Sequence, residues 1–146
     1  MKKQESGRSM VEMLGVLAII GVLSVGGISG YMLSINRFRA NNMLDKAGKF
    51  ATIAFSTKKT AEALGKPIDE ADILYDSKAL GALDTTSGEA IELAYDEDTS
   101  AFLSNGTVNL FVTFASQDIC ETAMSILGEK TDNCIDATAE ISFKQN

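Results

Sequence analysis

Residues 13–35 read MLGVLAIIGVLSVGGISGYMLSI, a run of 23 positions without a charged side chain. At roughly 1.5 Å per residue, a helix of that length is long enough to cross a hydrocarbon core about 30 Å thick. Hydrophobic residues occur on every side of such a helix, so it has no polar face and should lie in lipid or among other helices. The sequence therefore predicts one membrane-spanning or helix-packing segment near the N-terminus.

The formal charge of −7 over 146 residues is unevenly distributed. Residues 1–35 carry a net charge of +1, residues 36–66 (the stem) carry +5, and residues 67–146 (the head) carry −13. The acidic head repels nucleic-acid phosphates, so we expect no specific nucleic-acid partner. The opposite charges of stem and head instead favour contact between the head of one copy and the stem of another.

The residues needed for common catalytic sites are missing from this sequence. The chain has no histidine and two cysteines, which excludes a Ser-His-Asp triad and Cys₄ or Cys₂His₂ zinc sites. No arrangement of a nucleophile with a base and no cofactor motif is visible. We therefore expect a protein that is not an enzyme, with no catalytic residues, no cofactor and no metal.

Composition alone leaves two interpretations of the N-terminus. A secretory signal peptide would have Met1–Ser9 as its basic region, but the apolar run is longer than usual and lacks a clear cleavage site. A signal anchor would keep the segment in the membrane. Lys2, Lys3 and Arg8 precede the span and place the N-terminus in the cytoplasm, although Arg37 and Arg39 follow it and weaken that bias.

The junction before the apolar run favours a third interpretation. It reads Gly7-Arg8-Ser9-Met10-Val11-Glu12 and continues directly into the uncharged segment. A short basic leader that ends in glycine, a glutamate five residues later and about twenty apolar residues resemble the prepilin signature of type IV pilins. The resemblance covers roughly the first 35 residues and combines three features at fixed spacing.

The resemblance implies a processing route and an assembly. A prepilin peptidase would remove residues 1–7 by cutting after Gly7 and would methylate the new amine of Arg8. Residues 8–35 would then hold the subunit in the bacterial inner membrane until the assembly machinery packs identical subunits into an extracellular helical filament. Two positions depart from the family pattern: Arg8 replaces the usual apolar first residue, and Ser29 stands where many members have a helix-kinking proline. A proline kink is therefore in doubt, although Gly26 and its neighbour could loosen the helix there.

Within the apolar segment, three residues are candidates for subunit assembly. Glu12 is costly near lipid unless it is paired. The family resemblance implies that the Glu12 carboxylate pairs with the free amine at Arg8 of a neighbouring subunit. The alternative is a local i,i+4 ion pair between Glu12 and Arg8 on the same helix. Gly26 and Gly30 have the spacing of a helix-packing face. Glycine is also simply commoner in membrane helices, which is the alternative for these two positions.

The stem is predicted to be an amphipathic helix. Apolar or small residues recur every four and then three positions, and Gly65 followed by Pro67 is a typical helix stop. We expect one continuous helix from about Ser9 to Leu64, with a separate stem helix and a break near residues 41–42 as the alternative. The predicted stripe consists of Met43, Ala47, Phe50, Ala54, Thr57, Ala61 and Leu64.

The head is predicted to contain a small antiparallel sheet, which gives an α+β fold with the long helix packed on the sheet. Residues 67–88 are predicted to form a loop with a helical turn around Ser77–Leu83. Asp118 is expected to cap a helix that runs through Leu127, with Ile119, Ala123, Ile126 and Leu127 facing inward. Alternation and turn signals predict strands at Ala90–Tyr95, Thr107–Ala115 and Ala139–Lys144, with a tight turn at Asn105 rather than a glycosylation site.

The two cysteines are expected to pair. In an exported domain, Cys120 and Cys134 would form one disulfide that is worth roughly 3 kcal/mol by loop entropy. The bridged segment resembles the disulfide-bound C-terminal region of type IV pilins. The helix predicted directly after the first cysteine resembles the type IVb subclass, whereas the short leader resembles type IVa, so both subclasses stay open. Asp96-Glu97-Asp98 is interpreted as a solvated acidic turn rather than a calcium site, because the EF-hand pattern is absent.

Three functions remain open on these observations. The leading hypothesis is a structural subunit of a type IV pilus. A minor pilin or a pseudopilin of a secretion system is the alternative within the same class. A monomeric, membrane-anchored binding module of the cell envelope is the alternative from another class, and it needs no cleavage at Gly7.

Overall fold

A computed structural model describes residues 5–67, 70–94 and 106–145 of the chain. The chain divides into two compact units, Met1–Ile35 and Asn36–Asn146. The fold of the second unit is α+β, as the sequence predicts.

The first helix, α1, runs from Glu5 to Leu64 and contains 60 residues. Helical backbone continues through residues 41–42, so the alternative of a break there is wrong. At the C-terminal end Gly65 takes a positive φ of 63°, and the Lys66 N–H donates to the Ala61 carbonyl at 3.0 Å. The predicted glycine stop is thus confirmed, because a residue with a side chain would be strained in this conformation.

The stem part of α1 packs through the predicted apolar stripe. Met43, Ala47, Phe50 and Ala54 are buried and belong to the core of the second unit. The burial of the stripe decreases toward the C-terminal end of α1, where Leu64 is 64% exposed. Leu64 therefore continues the helical spacing to the last residue of α1 but lies outside the core.

A second helix, α2, occupies Glu70–Ala79. The sequence predicts only a loop with a helical turn around Ser77–Leu83 in this region, so the helix begins earlier than expected and ends within that range. Ile73 and Ser77, which are one helical turn apart, are both fully buried. Burial of Ile73 stabilises α2 even though its apolar periodicity is weak, whereas the buried Ser77 hydroxyl meets no hydrogen-bond partner among the described residues.

Within the described residues the sheet has three antiparallel strands, in the order β1-β2-β3. The strands are β1 at Ala90–Leu93, β2 at Thr107–Thr113 and β3 at Thr138–Lys144. They lie close to the predicted ranges, and Tyr95, Asn105 and the Asp96–Asp98 turn lie outside the described residues. Alternate residues of each strand are buried, which leaves the other face of the sheet toward solvent. The buried face consists of Ile91, Leu93, Val108, Leu110, Val112, Ala139 and Ile141.

The third helix, α3, runs from Gln117 to Leu127 and is followed by a 3₁₀ turn at Thr131–Asn133. It begins one residue before the predicted cap, Asp118, because Ser116 is still extended (φ −157°, ψ 160°). Its buried face consists of Ile119, Cys120, Ala123 and Met124. The sequence predicts that Ile126 and Leu127 face inward, but they are 45% and 43% exposed, since they lie on the last turn of α3, past its last buried residue, Met124.

The predicted disulfide between Cys120 and Cys134 is confirmed. It joins α3 to the residue that follows the 3₁₀ turn, with the two Cα atoms 6.1 Å apart. Both cysteines are buried in the core of the second unit. The bridge therefore connects the C-terminal segment to α3 from inside the head.

Candidate functional site

The surface of the first unit is apolar and uncovered. The large hydrophobic side chains between Met10 and Leu33 are all at least half exposed, from 52% at Ile20 to 75% at Val22. An 18-residue window of this helix has a mean hydropathy of 2.2, and none of the window is buried. By length and composition the helix can cross a membrane. An apolar surface of this size needs lipid or other helices around it.

Three serines in this segment direct their hydroxyl groups to the helix backbone. Ser24, Ser29 and Ser34 each donate to the carbonyl four residues earlier, at 2.7, 3.0 and 2.9 Å. Because these hydroxyls already have acceptors, they add little to the cost of moving the helix into an apolar environment. Ser29, in particular, continues the helix where the pilin family often has proline.

The glycines of the apolar segment have no packing role within the described chain. A Cβ added at Gly15, Gly21, Gly26, Gly27 or Gly30 meets no described atom within 4 Å. A glycine inside a helix is less favourable than alanine by about 1 kcal/mol. Because no intrachain contact offsets that cost, the open backbone at Gly26 and Gly30 is available for close approach of another helix.

Glu12 is the sole charged residue in the sequence between Ser9 and Asn36. Its side chain is exposed and forms no ion pair with any side chain that the structure describes. The side chain of Arg8 lies outside the described part, so the local Arg8–Glu12 pair stays a prediction. Glu12 therefore places a carboxylate directly before the uncharged segment of α1, residues 13–35.

The head contains a second feature with specific geometry, the loop that follows the disulfide. Asp136 and Ala137 both have positive φ, 50° and 60°, and the Ile135 and Thr138 backbones pair on either side of them. Gln117 holds this loop with both ends of its carboxamide. Its Oε1 accepts from the Ala137 N–H at 2.8 Å, and its Nε2 donates to the Cys134 carbonyl at 3.1 Å.

Relief of the strain at Ala137 should stabilise the head. The left-handed conformation costs a residue with a Cβ roughly 1–2 kcal/mol, and glycine avoids most of that cost. Ala137→Gly is therefore expected to raise the free energy of unfolding by about 1 kcal/mol, measured by urea denaturation of the purified chain in detergent. The matched control is Ala139→Gly in β3, which should lower it because Ala139 is buried in a strand. A lower stability for Ala137→Gly would contradict the argument.

An open groove of about 940 Å³ lies beside this loop. Exposed apolar side chains of three elements line it: Phe111 of β2, Leu127 of α3 and Ile135 of the loop. Three carboxylates, from Glu129, Asp132 and Glu140, also line the groove, and no lysine or arginine is among the described residues that line it. We call this surface the acidic groove. No group of three or more acidic or cysteine residues suited to a metal ion occurs among the described residues.

The lysine and arginine side chains of the stem differ in their contacts. Lys46 donates to the Asp84 carbonyl at 2.6 Å, and Lys49 pairs with Asp45 at 2.7 Å. Arg37 and Arg39 are exposed at the beginning of the stem. Some of the positive charge of the stem is therefore held within the second unit, and the two arginines project from it.

The predicted site residues do not converge on one place. Glu12, Gly26 and Gly30 lie on the apolar helix, whereas Cys120 and Cys134 lie in the head. The acidic groove and the Gln117 contacts were not predicted, because their residues come from separate elements and form no sequence motif.

The architecture is pilin-like: a long N-terminal apolar helix followed by a small antiparallel sheet with one disulfide. No family model, no curated protein and no solved structure matches the chain.

Proposed function

We propose that this chain is the structural subunit of a type IV pilus. The observation that carries the proposal is the N-terminal junction, in which Gly7 precedes Glu12 by five residues and an uncharged helix follows. The exposed apolar surface of that helix supports the proposal because it needs lipid before assembly and other helices afterwards. The subunit would wait in the bacterial inner membrane with its N-terminus in the cytoplasm and would then enter an extracellular filament.

The proposed partners follow from this route. A prepilin peptidase cuts after Gly7 and methylates the amine of Arg8, and an assembly machinery adds the subunit to a homopolymer. In the filament the helix surfaces at Gly26 and Gly30 contact neighbouring helices. The head forms the outer part, and the Cys120–Cys134 disulfide stabilises it outside the reducing cytoplasm.

Mass spectrometry of the mature N-terminus tests the proposal. The expected product begins at Arg8 and carries a methyl group on its α-amine. A matched variant, Gly7→Leu, should retain the leader because a bulky residue then occupies the cleavage position. A chain that begins at Met1 would overturn the proposal in favour of a membrane-anchored module. A chain that begins after the apolar run would overturn it in favour of a cleaved secretory signal.

The share of this chain in the total protein of sheared surface fibres distinguishes a major pilin from a minor pilin or a pseudopilin. A major subunit should be the dominant protein of the fibres. The experiment compares the fibre fraction with the membrane fraction from the same cells by quantitative mass spectrometry. A processed and methylated chain that stays a trace component of the fibres would contradict the major-subunit assignment.

A further inference from the structure

The acidic groove has the composition of a recognition surface for a basic, aromatic segment. Its exposed apolar residues are Phe111 at 40%, Leu127 at 43% and Ile135 at 72%, and they lie together rather than scattered over the head. Exposed apolar side chains that line one groove together with polar groups are a feature of binding sites. The carboxylates of the groove restrict the choice of partner, because a negatively charged partner would be repelled.

The register of the sheet places Phe111 between two acids. Phe111 is opposite Glu92 of β1 on one side and opposite Glu140 of β3 on the other. Side chains opposite each other on neighbouring strands lie on the same face, within about 5.5 Å at their Cβ atoms. An aromatic ring with a carboxylate on each side is therefore presented on the solvent face of the sheet.

The stem presents the complementary sequence. Phe38 is 72% exposed and is preceded by Arg37 and followed by Arg39. On a helix the two arginines project about 100° to either side of the phenylalanine, and their long side chains can reach around it. Both guanidinium groups can make bidentate contacts with carboxylates. Aromatic and arginine side chains are also the residues that most often anchor protein interfaces.

We propose that the acidic groove of one copy binds the Arg37-Phe38-Arg39 segment of a second copy. Phe38 enters the apolar part of the groove beside Phe111, and the two arginines pair with the surrounding carboxylates. This inference rests on the proposed function, because it specifies a contact within the filament. Every copy carries both the groove and the segment, so the contact is heterologous, and a heterologous contact that does not close into a ring propagates as a filament.

Site-specific photocrosslinking tests the contact in intact fibres. Benzoylphenylalanine at position 38 replaces one exposed aromatic side chain with another and reacts only with its immediate neighbours. The expected result is a covalent dimer in sheared fibres, with adducts that map to Phe111, Leu127 or Ile135. The matched control is the same probe at Tyr75, which is 75% exposed and does not line the groove. Adducts from position 38 only to lipid, or only to residues outside the groove, would overturn the proposal.

Charge reversal adds a readout that is independent of the probe. Arg37→Glu with Arg39→Glu should reduce the yield of sheared fibres at least tenfold, and Glu129→Lys with Glu140→Lys in the same chain should restore most of it. Lys59→Glu with Lys66→Glu changes the net charge equally on exposed stem residues and should leave the yield within twofold. Fibres that tolerate the arginine reversal would overturn the contact.

The outcomes also distinguish this inference from the proposed function. If wild-type cells yield fibres of processed subunits, the proposed function stands. The crosslinks and charge reversals then test only whether the acidic groove binds the Arg37-Phe38-Arg39 segment. If wild-type cells yield a processed or unprocessed chain but no fibres, the proposed function fails. In that case crosslinked dimers from position 38 to the groove in membranes would still support self-association, and monomers alone would overturn it.

Discussion

Phe50→Ala is expected to destabilise the head by about 3–5 kcal/mol, which is the usual cost of removing a buried aromatic side chain. Phe50 is fully buried on the face of α1 that carries Met43, Ala47 and Ala54. The three small or flexible neighbours cannot fill the space without moving the helix toward the sheet. The cost therefore combines lost apolar burial with a cavity that only partly closes.

Amide hydrogen exchange of the full-length protein in detergent measures this loss. A cost of 3–5 kcal/mol corresponds to a fall of roughly 10²- to 10⁴-fold in the protection of β2 and β3 amides, provided that they exchange by unfolding of the head. Phe38→Ala is the matched control, because it removes the same side chain from the same helix at a position that is 72% exposed. Phe38→Ala should leave the protection within about threefold. Equal effects of the two substitutions would show that the stripe does not anchor the head.

The parts of the fold that the sequence predicted have strong periodicity or explicit stop signals. The uncharged run and the four-three spacing of Met43, Ala47, Phe50 and Ala54 determine α1, and Gly65 ends it. The strands alternate between apolar and polar residues because one face packs against the core. Such patterns arise when a long, regular surface is buried, and they survive in a single sequence.

The missed features depend on few residues from distant parts of the chain. Helix α2 buries little more than Ile73 and Ser77. The apolar periodicity of its sequence is therefore too short to distinguish a helix from a loop. Gln117 carries no sequence signal for its contacts with Ala137 and Cys134, because those partners become neighbours only when the disulfide loop folds back on α3. The acidic groove is likewise assembled from β2, β3, α3 and the loop, and neither its shape nor its charge is visible in any one segment.

Of the residues in the apolar helix, Glu12 is expected to matter most for assembly. Glu12→Ala is expected to abolish recoverable fibres while leaving the subunit processed at Gly7 and held in the membrane. In the proposed filament the apolar helices surround residue 12, and its carboxylate faces the α-amine of Arg8 from another copy. Removing one partner of a buried ion pair costs about 3–5 kcal/mol, because the remaining charge loses its partner without regaining water.

That cost applies at each subunit addition, so the concentration of subunits needed for growth rises roughly 10²- to 10⁴-fold. The charge of the mature N-terminus is a second reason to expect a severe loss of fibres from Glu12→Ala. A mature chain that begins at Arg8 carries two positive charges there, on the α-amine and on the guanidinium, and Glu12 is the one acid in residues 8–35 that can balance them. Loss of Glu12 would leave both cations uncompensated among apolar helices.

Quantification of sheared fibres, with the N-terminus sequenced from the membrane fraction, checks the result. Glu12→Gln keeps the size of the side chain and should fail like Glu12→Ala if charge is what matters. Glu62→Ala is the matched control on the same helix, since Glu62 is exposed and meets Lys58 at 3.9 Å in an i,i+4 pair worth about 0.5 kcal/mol or less. It should assemble normally. Wild-type amounts of fibres from Glu12→Ala would mean that the helices pack without this ion pair, and the apolar surface with its open glycines would then have to supply the assembly energy alone.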